Sequence, residues 1–165
     1  MVDKFLDLRK YKLKGNVLDI GYRDYGIGYN LCKRDHSDMN VEYFNGSCKE
    51  IEEKKYDICV LYFSFKNLWL DFMKEQLICF IYNVLDENGE LYLWDVDKGP
   101  REVFNYNIKV QISEENTKII KIRDFNFLND NSKEKIIKLL APKFDIIDFD
   151  YNDDIFYIRA KKKGC

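Results

Sequence analysis

Asn16-Val17-Leu18-Asp19-Ile20-Gly21 is a short apolar run closed by a glycine, the pattern of a buried strand that feeds a tight loop. Further on, Tyr56-Asp57-Ile58-Cys59-Val60-Leu61-Tyr62-Phe63 is apolar at nearly every position, as a central parallel strand covered on both faces must be. From Asn67 to Leu85 the apolar residues Leu70, Met73, Leu77, Phe80, Ile81 and Val84 recur at a helical period. Asp86-Glu87-Asn88-Gly89 reads as a turn, and Glu90–Val96 as the next strand. Strand, helix and strand in this order predict a right-handed parallel crossover unit, and so an α/β fold.

The flanking segments fit around that unit. Residues 3–12 set Phe5, Leu6 and Leu8 among charges, which predicts a short amphipathic helix. Gly28–Lys33 reads as a short helix and Val41–Asn45 as a second strand. After Gly99-Pro100 the pattern changes: Tyr106, Ile108, Val110 and Ile112 alternate with polar residues, and Thr117–Phe125 is apolar again. A β-hairpin insertion near 102–127 follows. Asn131, with Glu134 three residues on, suits a helix cap. Phe144–Phe149 and Ile155–Ala160, around Asn152-Asp153-Asp154, predict a closing antiparallel pair. The 165 residues suit a single domain over 1–165.

Composition excludes several function classes. The chain carries 46% hydrophobic and 16% aromatic residues, with twelve Tyr and twelve Phe, far from a disordered composition. A lone tyrosine therefore has little functional weight. A net charge of −2, whose one dense basic run is Lys161–Lys163, gives no support to nucleic acid as a partner. Cys32, Cys48, Cys59, Cys79 and Cys165 form no C-x-x-C pair; Cys59 and Cys79 lie in apolar runs and read as small core residues. The first residues hold no apolar signal core, and no run is long enough to span a membrane. A reduced, cytoplasmic, soluble protein is expected.

Several of these pieces, in this order, resemble the class I S-adenosylmethionine-dependent methyltransferases, as a divergent, shortened member. Val17-Leu18-Asp19-Ile20-Gly21 is similar to the family's opening strand and the start of its glycine-rich loop. Tyr56-Asp57-Ile58-Cys59-Val60 is similar to its fourth strand, and Asn83–Leu91 to the turn into its fifth. The resemblance implies a Rossmann-like, doubly wound, mostly parallel sheet with a C-terminal antiparallel strand pair. It also implies S-adenosylmethionine as cofactor and a small-molecule or protein methyl acceptor. The departures are local. Where the family repeats glycine, this chain has Arg23 and Tyr25, with glycines at Gly26 and Gly28. Where it ends the second strand in a ribose-binding acid, this chain has Asn45. The family's third strand has no counterpart between Ser47 and Asp57.

On that resemblance the cofactor-binding candidates are Asp19, Gly21, Tyr22, Asn45 and Tyr62, each with a plainer alternative. Asp19 either serves the ligand crevice or braces the loop. Tyr22, Arg23 and Tyr25 line the cleft or fill it. Tyr62, with Ser64 at the exit of the central strand, faces the transferring group or is packing. Asp95 and Asp97 suit a substrate amine or a general base, or are solvated strand ends. His36 reads as an exposed loop residue. No catalytic residue is assigned, and no metal-binding pattern is present. Two functions remain open: a methyltransferase whose hairpin forms a lid, or an inactive scaffold whose hairpin edge serves docking or homodimer formation.

Overall fold

The computed structural model describes residues 1–35, 40–45 and 55–164. His36 and the segment expected to lack a third strand fall mostly outside them.

Nine strands and three helices follow one another in the described residues. They are β1 (Val2–Asp7), β2 (Val17–Ile20), α1 (Ile27–Asp35), β3 (Val41–Phe44), β4 (Tyr56–Tyr62), α2 (Asp71–Val84), β5 (Leu85–Val96), β6 (Phe104–Gln111), β7 (Thr117–Asp124), α3 (Lys133–Leu140), β8 (Phe144–Asn152) and β9 (Ile155–Lys162). A single 3-10 turn, Phe65–Asn67, lies between β4 and α2. The main sheet has the order β3-β2-β4-β5-β9-β8. Its first four strands are parallel, β9 runs antiparallel to β5, and β8 antiparallel to β9. A second sheet has the order β1-β6-β7. The molecule is thus α/β with mixed sheets.

Strand alternation divides the core. Leu18, Ile20, Cys59, Leu61, Leu91, Leu93, Phe156 and Ile158 point to the face covered by α2 and α3. Val17, Val60, Tyr62, Tyr92, Trp94 and Tyr157 point to the other, where Ile27 and Leu31 of α1 meet Ile108, Val110, Ile120 and Ile122 of the hairpin. The small sheet therefore closes part of a face against which α1 is the sole helix of the described residues. Aromatic rings fill the volume there: Trp94 stacks on Tyr62 at 5.1 Å and on Tyr157 at 4.8 Å.

Several expectations need correction. Residues 2–7 are a strand, not part of a helix, and pair parallel to β6, Val2 opposite Tyr106. The expected turn at 86–89 lies inside β5 as a bulge, since Leu85 stands opposite Tyr56 but Glu90 opposite Ile58. Ser132, not Asn131, caps α3 by accepting from the Lys135 N–H at 3.4 Å; buried Asn131 instead donates to the Val96 carbonyl at 2.8 Å. On α2 the buried positions are Lys74, Ile78, Ile81 and Val84, which turns Cys79 outward. The hairpin is the central and outer part of a three-stranded sheet, because β1 covers one edge of β6. No helix among the described residues is long and apolar enough to cross a membrane.

Candidate functional site

Strand β2 lies between β3 and β4, so the chain order reverses beside it. Open α/β sheets bind ligands outside the carboxyl ends of their strands at such a switch point. Asp19 is one residue before the end of β2, 7% exposed, beneath the start of α1. Its carboxylate accepts the backbone N–H of Gly28. Gly28 is required for that approach, because a Cβ there would lie 2.5 Å from Asp19 Oδ2. Burial, reinforced by the charge of Asp24, pushes the Asp19 carboxyl up to about 7, while the Gly28 N–H pulls it down. A helix N-terminus favours a carboxylate, yet desolvation wins here.

The loop from Gly21 to Gly26 is tied down at several points. The Gly21 N–H donates to the Phe44 carbonyl at 3.0 Å, and Tyr43 Oη donates to the Gly21 carbonyl at 2.7 Å. Gly26 has φ +65°, and Lys118 from the hairpin crosses over it to donate to the Tyr25 carbonyl at 2.9 Å. Opposite this loop, β4 ends in a sharp reversal. Phe63 is fully buried with φ 57°, a left-handed conformation that costs a bulky residue about 1–3 kcal/mol. Its N–H still donates to the Trp94 carbonyl at 2.8 Å, and Ser64 Oγ donates to the Ile20 carbonyl at 2.9 Å. The exits of β2, β4 and β5 are thereby locked together.

Asp95 holds the next turn. Fully buried, it accepts the N–H groups of Phe65 at 2.8 Å, Lys66 at 3.3 Å and Val96 at 2.8 Å. Burial pushes its carboxyl up to about 6, against those donors and the charges of Lys66 and Lys74. Asp97 accepts the Lys133 N–H at 2.9 Å and pairs with its Nζ at 2.7 Å. Both acids thus brace backbone. Neither lines the cleft described next.

That cleft, of about 420 Å³, opens between the β2 loop, the β4 exit and the hairpin. Tyr22, Arg23 and Tyr25 wall one side, Lys66 and Asn67 the floor, and Asn105, Lys121, Ile122 and Arg123 the other side. Burial lowers the Lys66 ammonium, and Arg23 adds to that effect while Asp95 and Asp124 oppose it.

Among the expected cofactor residues, Tyr22 lines this cleft and is 54% exposed. Gly21 forms the buried base of its loop, where a Cβ would meet Ser64 Oγ at 3.3 Å. Asn45 follows the end of β3 and is exposed. Asp19 sits one layer below, under α1. Tyr62 lies in the core against Trp94, away from the cleft, which is its packing alternative. The sequence reading missed Lys66, Lys121 and Arg123. Alternation in 117–125 marks Lys121 and Arg123 as off the buried face, but nothing local says which loop they meet.

No protein-family model and no curated protein matches the chain. Solved structures do. A protein of Pyrococcus horikoshii is similar at a TM-score of 0.61 and 14% identity, over 94% of this chain and 85% of that one. A S-adenosylmethionine-dependent methyltransferase from Clostridium acetobutylicum is similar at 0.54 and 15%, over 99% and 85%. The glycopeptide N-methyltransferase MtfA complexed with sinefungin is similar at 0.60 and 11%, over 98% and 93%. At such identities the likeness is one of fold. The chain has a class I methyltransferase-like fold.

Proposed function

We propose that this chain is a S-adenosylmethionine-dependent methyltransferase acting on a small-molecule or protein acceptor. In this reading residues 1–165 work as one doubly wound, Rossmann-like domain in the cytoplasm. The observation that carries it is the cleft of about 420 Å³ at the carboxyl ends of β2 and β4, beside the switch point. Its volume is within the usual range for a small-molecule site.

The residues present suit the cofactor in part, with departures at Arg23, Tyr25 and Asn45. The Gly21 loop would approach the cofactor and Tyr22 would flank it, with Asp19 bracing the start of α1 from below through the Gly28 N–H. Asn45 would take a ribose hydroxyl through a neutral amide oxygen, a weaker hold than a carboxylate gives. Tyr62, held in the core, would support the β4 exit rather than touch the ligand.

When bound, the cofactor supplies a sulfonium methyl group: the acceptor's lone pair forms the new bond to carbon as the carbon–sulfur bond breaks and sulfur keeps the electron pair. Such an in-line displacement rests on positioning more than on acid–base chemistry. This agrees with Asp95 and Asp97 serving the backbone. The locked exits of β2 and β4 fix the floor, and the hairpin walls the cleft against water.

Calorimetric titration of S-adenosylmethionine and of its demethylated product tests the reading. Binding in the micromolar range with a raised melting temperature is expected. No heat and no thermal shift at millimolar ligand would instead leave an inactive scaffold. Lys118 seated over Gly26 and the amide at Asn45 favour that second reading.

A further inference from the structure

The cleft is lined by four cations and by no carboxylate: Arg23, Lys66, Lys121 and Arg123. Several cations elsewhere on the surface are held in ion pairs. Lys4 pairs with Asp153 and Asp154, Arg9 with Asp7 and Glu114, Lys10 with Asp150, Lys133 with Asp97, and Arg159 with Glu90. Among the described residues, none of the four cleft cations has a carboxylate within ion-pair distance. Lys66 Nζ donates to the neutral Asn67 Oδ1 at 3.0 Å. The acids whose charge reaches Lys66 are already engaged, Asp95 by backbone N–H groups and Asp124 by Lys98 at 3.3 Å.

Four like charges around one hollow repel one another, in a chain whose net charge is −2. The positive potential is thus local, and a low-dielectric concavity focuses it. Two of the four are guanidinium groups, whose planar forks match the oxygens of a phosphate or carboxylate. Tyr22 and Tyr25 add aromatic walls beside them.

We propose that this cleft binds a small, multiply charged anion, and that the methyl acceptor carries a phosphate group that seats between Arg23, Lys66, Lys121 and Arg123. The second clause rests on the methyltransferase reading; the first stands without it. A small anion is favoured over an extended polyanion because the four cations converge on one hollow of about 420 Å³ in a chain whose net charge is −2. A phosphate there would also offset the repulsion between the cationic rim and a sulfonium.

Calorimetric titration of inorganic pyrophosphate into the full chain at about 150 mM salt tests the proposal. Saturable binding is expected, weakened about tenfold or more by Arg23→Ala and by Arg123→Ala. Lys138→Ala, an exposed cation on α3 across the main sheet from the cleft, should change it by less than about twofold. Arg123→Lys, which keeps the charge and loses the fork, should fall between. Circular dichroism melts identify any variant that fails to fold. The proposal is overturned by no binding at millimolar pyrophosphate, by equal weakening in Lys138→Ala, or by a single-stranded oligonucleotide that binds more tightly than pyrophosphate. Pyrophosphate binding without S-adenosylmethionine binding upholds the anion site and removes the acceptor assignment. The converse result removes the anion site and leaves methyl transfer standing.

Discussion

At the scale of the residue, Asp19 is the most informative position. In an unfolded chain its carboxyl ionises near 4; in the fold, burial and Asp24 raise it to about 7. Between those values the folded state holds a proton that the unfolded state has released. Stability therefore falls as pH rises through that window, and levels off above it. Asp19→Asn cannot ionise, and its amide oxygen still accepts the Gly28 N–H. Urea melts should show the variant more stable than the parent at pH 8 by about 2–4 kcal/mol, with the two converging near pH 4. A constant difference across that range would rule out Asp19 as the titrating group. Strand ends are local features, so the sequence places Asp19 and Gly21 at the end of β2 and Asn45 at the end of β3. It could not tell that Gly28 serves Asp19, or that Tyr62 turns to the core, because strand alternation leaves open which face a later hairpin covers.

At the scale of the element, α2 carries a lysine on its buried side. Lys74 is fully buried, and its ammonium donates to the Asp130 carbonyl at 2.6 Å and to Asn129 Oδ1 at 3.2 Å. Burial lowers its affinity for a proton, against the charges of Asp95, Asp71 and Asp130. Lys98 works beside it, donating to the carbonyls of Asn126 at 2.5 Å and Asn129 at 2.9 Å. Two cations thus pin the loop between β7 and α3. Lys74→Met keeps the volume and leaves two acceptors unsatisfied, so a loss of about 2 kcal/mol is expected in thermal or chemical melts. Amide exchange should quicken first in residues 125–132; uniform quickening over the whole chain would contradict a local anchor. The same buried lysine explains why the helical stripe was misjudged. Counting only apolar residues along α2 places Leu70 inward, whereas it is 40% exposed. Residues 3–12 suggest a helix for a related reason. Phe5, Leu6 and Leu8 suit a helical face, and parallel pairing with β6 leaves no trace within six residues.

At the scale of the molecule, the order of the central strands was legible, since buried runs and a long helix declare a parallel unit by themselves. The joining of β1 to the hairpin was not. That junction makes the small sheet, which closes one face of the core and walls the cleft. Lys4 ties it to the β8–β9 turn by pairing with Asp153 and Asp154 at 2.8 Å each. Deleting residues 1–7 should lower the melting temperature and open an edge of β6 to pairing with a second copy. Size-exclusion chromatography with light scattering reads that association; a monomer with unchanged melting would count against the role given to β1. The same pairing imposes an order on folding. Val2 meets Tyr106, so the segment made early in synthesis has no mate until the hairpin has left the ribosome. Closing so long a loop is slow. The parallel strands β2, β3, β4 and β5, all made before the hairpin, can pair first, with β1 adding as a later step, and until then the wall that shapes the cleft is incomplete.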